Sequence, residues 1–117
     1  MITRNLGQLG EKIALETLVS GGYKVLERNF RCKIGEIDII AKDQDALVFI
    51  EVRSKSDSVH GVPQETVNRK KQQKIRRTAE YYLLKNRLQD IYCRFDVVGI
   101  LWQGNKEPHI EIIKDAF

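Results

Sequence analysis

Residues 35–55, GEIDIIAKDQDALVFIEVRSK, contain two apolar runs of strand length on either side of the polar segment KDQD, and this stretch restricts the fold more tightly than any other. Isoleucine- and valine-rich runs bounded by Asp-Gln-Asp predict a hairpin, with one strand over 35–42 and the next over 47–54. Alternate residues of a strand face opposite ways. Glu36, Asp38 and Ile40 therefore share one face of the first strand, with Ile37 and Ile39 on the other. On the second, Leu47, Phe49, Glu51 and Arg53 face one way and Val48, Ile50 and Val52 the other. Asp38 and Glu51 thus interrupt strands where apolar side chains are expected.

The turn decides whether the two acidic faces coincide, because a one-residue slip moves every side chain to the opposite face. A two- or four-residue loop centred on Gln44-Asp45 sets Asp38 opposite Glu51, Ile40 opposite Phe49 and Glu36 opposite Arg53. A three-residue loop separates the two acids. In the first case the carboxylates stand roughly 4.5–5.5 Å apart at Cβ and repel each other.

The rest of the chain surrounds this hairpin with further elements. Residues 5–20 form a helix whose apolar residues spread over several stripes, and Gly21-Gly22 ends it. YKVLERNFRC, 23–32, is a strand leading into the hairpin, so three strands make an antiparallel meander. The polar, Gly- and Pro-punctuated segment 55–63 is a loop. A long helix over 64–87 follows, basic in its first half and carrying Ile75, Ala79, Tyr82 and Leu83 on an apolar face in its second. Strands over 91–102 and 109–113, joined by a turn at 103–106, complete the order helix, three strands, helix, two strands. The expected architecture is α/β, a central mixed sheet flanked by helices, with the fourth strand returned across the sheet by the long helix.

A length of 117 residues suits one domain, 1–117, with a core of its own. No apolar run approaches the ~20 residues of a membrane span, and the N-terminus lacks a secretory apolar region. Cys32 and Cys93 stand far apart with no CxxC pattern. These features predict a cytoplasmic chain with reduced thiols and no membrane partner.

Net charge is unevenly distributed. Residues 61–90 hold eight Lys/Arg against three acids, a net +5 in a chain whose total is +4. Arg69, Lys70, Lys71, Lys74, Arg76 and Arg77 crowd six cations into nine residues. Such a patch suits backbone phosphates of nucleic acid, which give salt-dependent affinity without base specificity. A solvated helix face is the other reading of the same charges.

Two opposed carboxylates are relieved by a divalent cation, and oxygen donors with few other ligands suit Mg2+ or Mn2+. The alternative pairs Asp38 and Glu51 with Arg53, Lys55 or Arg31. Asp96, which interrupts RFDVV, is expected to form an ion pair with Arg94 or Arg28. His60 and His109 have no zinc spacing.

GEIDII followed by VFIEVRSK, with GQLGEKIALETLVSGGYKVLERNFR upstream and VPQETVNRKKQQKIRRTAEYYL and RFDVV downstream, resembles the bacterial YraN-like family, an uncharacterised group with an endonuclease-like fold. The resemblance covers nearly the whole chain. That family in turn is similar to the PD-(D/E)xK nucleases, nearest to archaeal Holliday-junction resolvases. The resemblance implies a restriction-endonuclease-like fold and a Mg2+- or Mn2+-dependent endonuclease acting on DNA, with branched or structured DNA as a candidate substrate. It makes Asp38 the metal-binding aspartate, Glu51 the acid of the E-x-K element and Glu11 the glutamate from the first helix. Glu16 falls outside the matching pattern. Resolvases act as dimers on two-fold substrates, which implies a homodimer.

The departure from the pattern is Arg53, where the superfamily has lysine. Arginine keeps its proton but can grip phosphate with two N–H groups. Lys55 shares the parity of Glu51 and Arg53 and reaches the site if the strand continues that far. A nucleic-acid-binding module with little or no catalysis is therefore the alternative to a nuclease, and a protein-interaction domain docking on an acidic partner is a third.

Overall fold

A computed structural model describes residues 6–56 and 67–117, with elements in the order α1 (Leu6–Ser20), β1 (Lys24–Arg31), β2 (Glu36–Asp43), β3 (Ala46–Ser56), α2 (Arg69–Lys85), β4 (Cys93–Gln103) and β5 (Lys106–Ile113). His60, the loop expected over 57–63 and the helix start expected at Gln64 lie outside the described residues.

Short connections produce antiparallel pairs, and the long connection produces the one parallel pair among these strands. The sheet runs β1-β2-β3-β4-β5 in space, with β3 and β4 parallel and the other neighbours antiparallel. A parallel pair needs a crossover of a dozen or more residues, usually helical, and the segment containing α2 makes it. The hairpin closes as expected: Asp43 faces Ala46, Ile40 faces Phe49 and Ile39 faces Ile50. Gln44, at φ 54°, turns the chain. α1 ends where Gly22, at φ 94°, adopts a conformation that costs other residues more.

Each helix covers one face of the sheet. Ala14 and Leu18 of α1 pack with Ile39, Ala41, Val48, Ile50, Val98 and Ile100. Ile75, Ala79 and Tyr82 of α2 pack with Ile37, Ile40, Leu47, Phe49 and Val97 on the other face. The central strand β3 is buried on both sides from Ala46 to Glu51, so its apolar run need not alternate with polar residues. Full burial of one such side chain is worth roughly 1.5–3 kcal/mol. Among the described residues, no helix is long and apolar enough to cross a membrane.

The expected split of α2 into a projecting basic half and a packed apolar half gives way to a split by face. Ile75 and Thr78, in or next to the basic stretch, are buried, while Leu84 near the far end is exposed. Helical periodicity puts Lys71, Ile75, Thr78 and Tyr82 on one stripe, so the basic turn lies along the sheet.

At the other end of the strands, Arg94 bridges Asp43 at 2.7 Å and Asp96 at 2.8 Å. The Tyr23 hydroxyl donates to Asp96 at 2.8 Å, and burial together with that bond pushes the hydroxyl above its usual titration range. Asp96 is therefore a structural ion-pair residue, as its neighbour Arg94 suggests.

Candidate functional site

Asp38 sits where β-pairing is interrupted. The partners of β1 and β2 run through Arg28–Ile39 and Phe30–Ile37 but skip Asn29 and Asp38, and the β2–β3 pairing ends at Ile39–Ile50. Asn29 adopts φ 52°, a value uncommon outside glycine. The expected alternation fails here: Ile37 packs on the α2 face with Ile40, while Ile39 packs on the α1 face. The distortion brings Asp38 Oδ2 to the Val52 backbone N–H, which donates to it at 2.8 Å.

Asp38 also hydrogen-bonds Glu51, as the register centred on Gln44-Asp45 anticipates. Glu51 is 6% exposed. Burial, the hydrogen bond with Glu51 and the charge of that carboxylate push the Asp38 carboxyl up to about 7; the Val52 N–H and Lys71 pull the other way. The Asp38 carboxyl is therefore held well above the usual carboxylate range beside Glu51. Lys71 Nζ stands 3.0 Å from Glu51 Oε2, a charge contact without a directed hydrogen bond.

Glu11, on α1, faces the same cleft as Asp38. Glu11, Asp38, Val52 and Ser54 line a cleft of about 360 Å3. Asp38 also lines a larger cleft of about 630 Å3 with Glu51, Asn68, Lys70, Lys71 and Lys74. Asp38 is thus common to both. Glu11 Oε1 is buried with no hydrogen-bond partner among the described residues.

The donor chemistry fits a hard divalent cation. Asp38 and Glu51 are adjacent, hard oxygen donors of the kind that Mg2+ and Mn2+ take, and Glu11 Oε1 is an oxygen without a hydrogen-bond partner among the described residues. Among the described residues no three His, Cys, Asp or Glu side chains form one compact metal-binding group. The fit rests on the Asp38–Glu51 pair, with Glu11 in the adjoining cleft.

The remaining candidates separate in space. Arg53 and Lys55 are half-buried on β3 and line neither of these two clefts. Lys70, Lys71 and Lys74 line the larger one. Arg77 continues the Lys70–Lys74 stripe by helical spacing, whereas Arg69 falls on another flank. Arg76 is on that flank too, its guanidinium 4.7 Å from the centre of the Phe95 ring and 5.6 Å from that of Phe117. Asn68 caps α2 by accepting the Lys71 backbone N–H at 2.9 Å. Glu16 is exposed on α1. Sequence reasoning grouped Lys71 with the other cations and missed its contact with Glu51; its spacing from Ile75 and Thr78 was the available signal. At the β1–β2 connection, Arg31, named as a possible partner of the acids, lines the larger cleft and pairs with Glu36 at 2.7 Å, and Cys32 lines that cleft without a sequence signal.

Residues 10–100 match the family described as "Uncharacterised protein family UPF0102". A UPF0102 protein of Clostridium kluyveri is 50% identical over 97% of this chain and 94% of its own length. One from Clostridium tetani is 46% identical over the same shares, and one from Moorella thermoacetica is 46% identical over 100% of this chain and 98% of its own. With the two acidic strand residues, the first-helix glutamate and the basic helix in one continuous match, the chain belongs to the uncharacterised UPF0102 family, the YraN family.

Proposed function

We propose that the chain is a restriction-endonuclease-like, divalent-cation-dependent endonuclease acting on nucleic acid, with DNA, including branched or structured DNA, as its substrate class. The observation that carries this reading is the hydrogen-bonded Asp38–Glu51 carboxyl pair inside a cleft lined by Lys70, Lys71 and Lys74. Acids buried under a rim of cations suit a cation below and a phosphodiester above.

In this reading Asp38 and Glu51 hold Mg2+ or Mn2+, with Glu11 as the third oxygen donor. When bound, the cation supplies a Lewis acid for the phosphoryl oxygen and makes water more acidic. The Val52 N–H fixes the Asp38 carboxylate, so that ligand needs little reorganisation. Lys70 and Lys74 draw in the flanking phosphates and leave base identity unread. Hydrolysis joins a water oxygen to phosphorus and breaks one phosphorus–oxygen bond to sugar. A proton leaves the water for solvent, and the departing sugar oxygen takes one from solvent.

The test is cleavage of duplex, single-stranded, flapped and four-way-branched DNA with Mg2+ or Mn2+, beside Asp38→Ala and Glu51→Ala. Loss in both variants supports the site; cleavage surviving both overturns it. Sedimentation of the protein with and without branched DNA tests the accompanying proposal of a homodimer. One observation favours a second reading, a binding module with little catalysis: Arg53 stands at the position of the superfamily's lysine. Salt-dependent DNA binding without cleavage on any of these substrates selects that reading.

A further inference from the structure

We infer that Lys71 of α2 is the lysine of this site: it neutralises Glu51 in the structure and transfers to the substrate phosphate when a divalent cation takes its place at that carboxylate. The inference rests on the proposed nuclease reading and deepens it by assigning a role that Arg53 leaves open.

Three observations converge on Lys71. Its Nζ is 3.0 Å from Oε2 of Glu51, and the lysine side chain is 45% exposed against 7% for the glutamate. One end of the pair is therefore fixed in the fold, while the ammonium stands at the cleft mouth. The contact lacks a directed hydrogen bond, so moving the ammonium breaks no oriented bond. The backbone beneath it is held: Asn68 Oδ1 accepts the Lys71 N–H at 2.9 Å, and Gln72 Nε2 donates to the Val67 carbonyl at 2.8 Å. A flexible four-carbon stem on an anchored helical turn can relocate its charge by a few ångströms. Arg53, on β3, lines neither of the clefts that contain Asp38.

A lysine and a divalent cation at one carboxylate oxygen repel each other. Their binding is negatively coupled. Lys71 and a phosphate carrying developing negative charge attract, so the ammonium gains a partner as it loses Glu51. Lys71 acts throughout as a fixed positive charge and transfers no proton.

The coupling sets apart this role from a merely structural ion pair. Mn2+ affinity is measured by calorimetry and DNA cleavage by gel, using wild type, Lys71→Gln, Lys71→Arg and Arg53→Gln. Lys71→Gln is expected to bind Mn2+ about tenfold tighter while cleaving roughly 100-fold more slowly. Lys71→Arg restores charge and recovers cleavage relative to Lys71→Gln. Arg53→Gln loses less cleavage than Lys71→Gln, and Lys71→Met supplies the same charge-free comparison if Lys71→Gln does not fold. Unchanged or weakened Mn2+ affinity in Lys71→Gln, or a loss in Arg53→Gln exceeding the losses in both Lys71 variants, overturns the assignment. Wild type that cleaves while Lys71→Gln cleaves equally sinks the role of Lys71 alone. Wild type that neither binds Mn2+ nor cleaves sinks the nuclease reading and this inference with it.

Discussion

Asp38 Oδ2 accepts the Val52 backbone N–H at 2.8 Å, so a side-chain carboxylate occupies the hydrogen-bonding position that a strand carbonyl fills elsewhere in the sheet. The same carboxyl hydrogen-bonds Glu51 and is held at about 7, against about 3.9 in an unfolded chain. Between those values the folded state binds more protons than the unfolded one. The contribution of Asp38 protonation to stability is therefore fully present below about pH 4 and is lost as pH rises through 7. Asp38→Asn keeps an acceptor for Val52 and offers an N–H to Glu51 while removing one charge. Thermal melts should show wild type losing stability from pH 5 to pH 8 relative to Asp38→Asn, with the variant ahead at pH 8 by several degrees, where 1 kcal/mol is worth roughly 4–8 °C. Parallel pH profiles for the two proteins would contradict the raised Asp38 carboxyl.

Glu11 carries a buried oxygen without a hydrogen-bond partner among the described residues. A buried acceptor without a hydrogen bond costs about 1–3 kcal/mol, and Glu11 Oε1 is in that state among the described residues. Glu11→Gln removes the charge at nearly constant shape. Without added cation the variant should melt at or above the wild-type temperature. With Mn2+ its affinity should fall about tenfold, read as a smaller cation-induced rise in melting temperature. Equal Mn2+ affinity in the two proteins would remove Glu11 from the donor set.

The hairpin was legible because its determinants are local. Gln44-Asp45 sets the register, and the register sets Phe49 against Ile40 and carries Glu51 to Asp38. A mixed sheet followed from the long helical segment before the fourth strand, while the pairing of that strand with β3 came from the structure. The reversal of alternation at Asp38 was not legible, since it depends on Asn29 of the neighbouring strand adopting φ 52°, which no period-two pattern records. Lys71 escaped for a different reason. Its charge matches its neighbours, and only the 3.6-residue spacing to Ile75 and Thr78 separates it from Arg76 on the far flank.

Arg94 serves two acids at once, and its loss should be felt by the whole fold. Asp96 is fully buried, and Arg94 supplies it with Nε at 2.9 Å and a terminal nitrogen at 2.8 Å. The same guanidinium reaches Asp43, which Lys114 also approaches at 3.1 Å. Removing one partner of a buried pair costs about 3–5 kcal/mol because a charge is left behind. Urea unfolding of Arg94→Met should show a loss of that order at neutral pH. Arg94→Met combined with Asp96→Asn should recover part of it, because the stranded charge is gone. A double variant no more stable than Arg94→Met would place the cost in packing.

The six cations of the basic stretch should divide into two functional groups. Lys70 and Lys74 line the cleft beside the acids, which in the proposed reading is where phosphates are held. Replacing either with alanine should weaken DNA binding similarly across sequences and reduce the slope of log K against log salt by about 1. Arg76 lies over the stacked Phe95 and Phe117 rings. A cation over an aromatic face contributes about 0.5–2 kcal/mol. Arg76→Ala should therefore lower the unfolding midpoint in urea and leave the salt slope closer to wild type than Lys70→Ala or Lys74→Ala does. Binding titrations from 50 to 200 mM salt, run beside urea melts, separate the groups. If Arg76→Ala changes the slope as much as Lys74→Ala does, the nucleic-acid footprint wraps both flanks of α2 instead of following the stripe above Asp38 and Glu51.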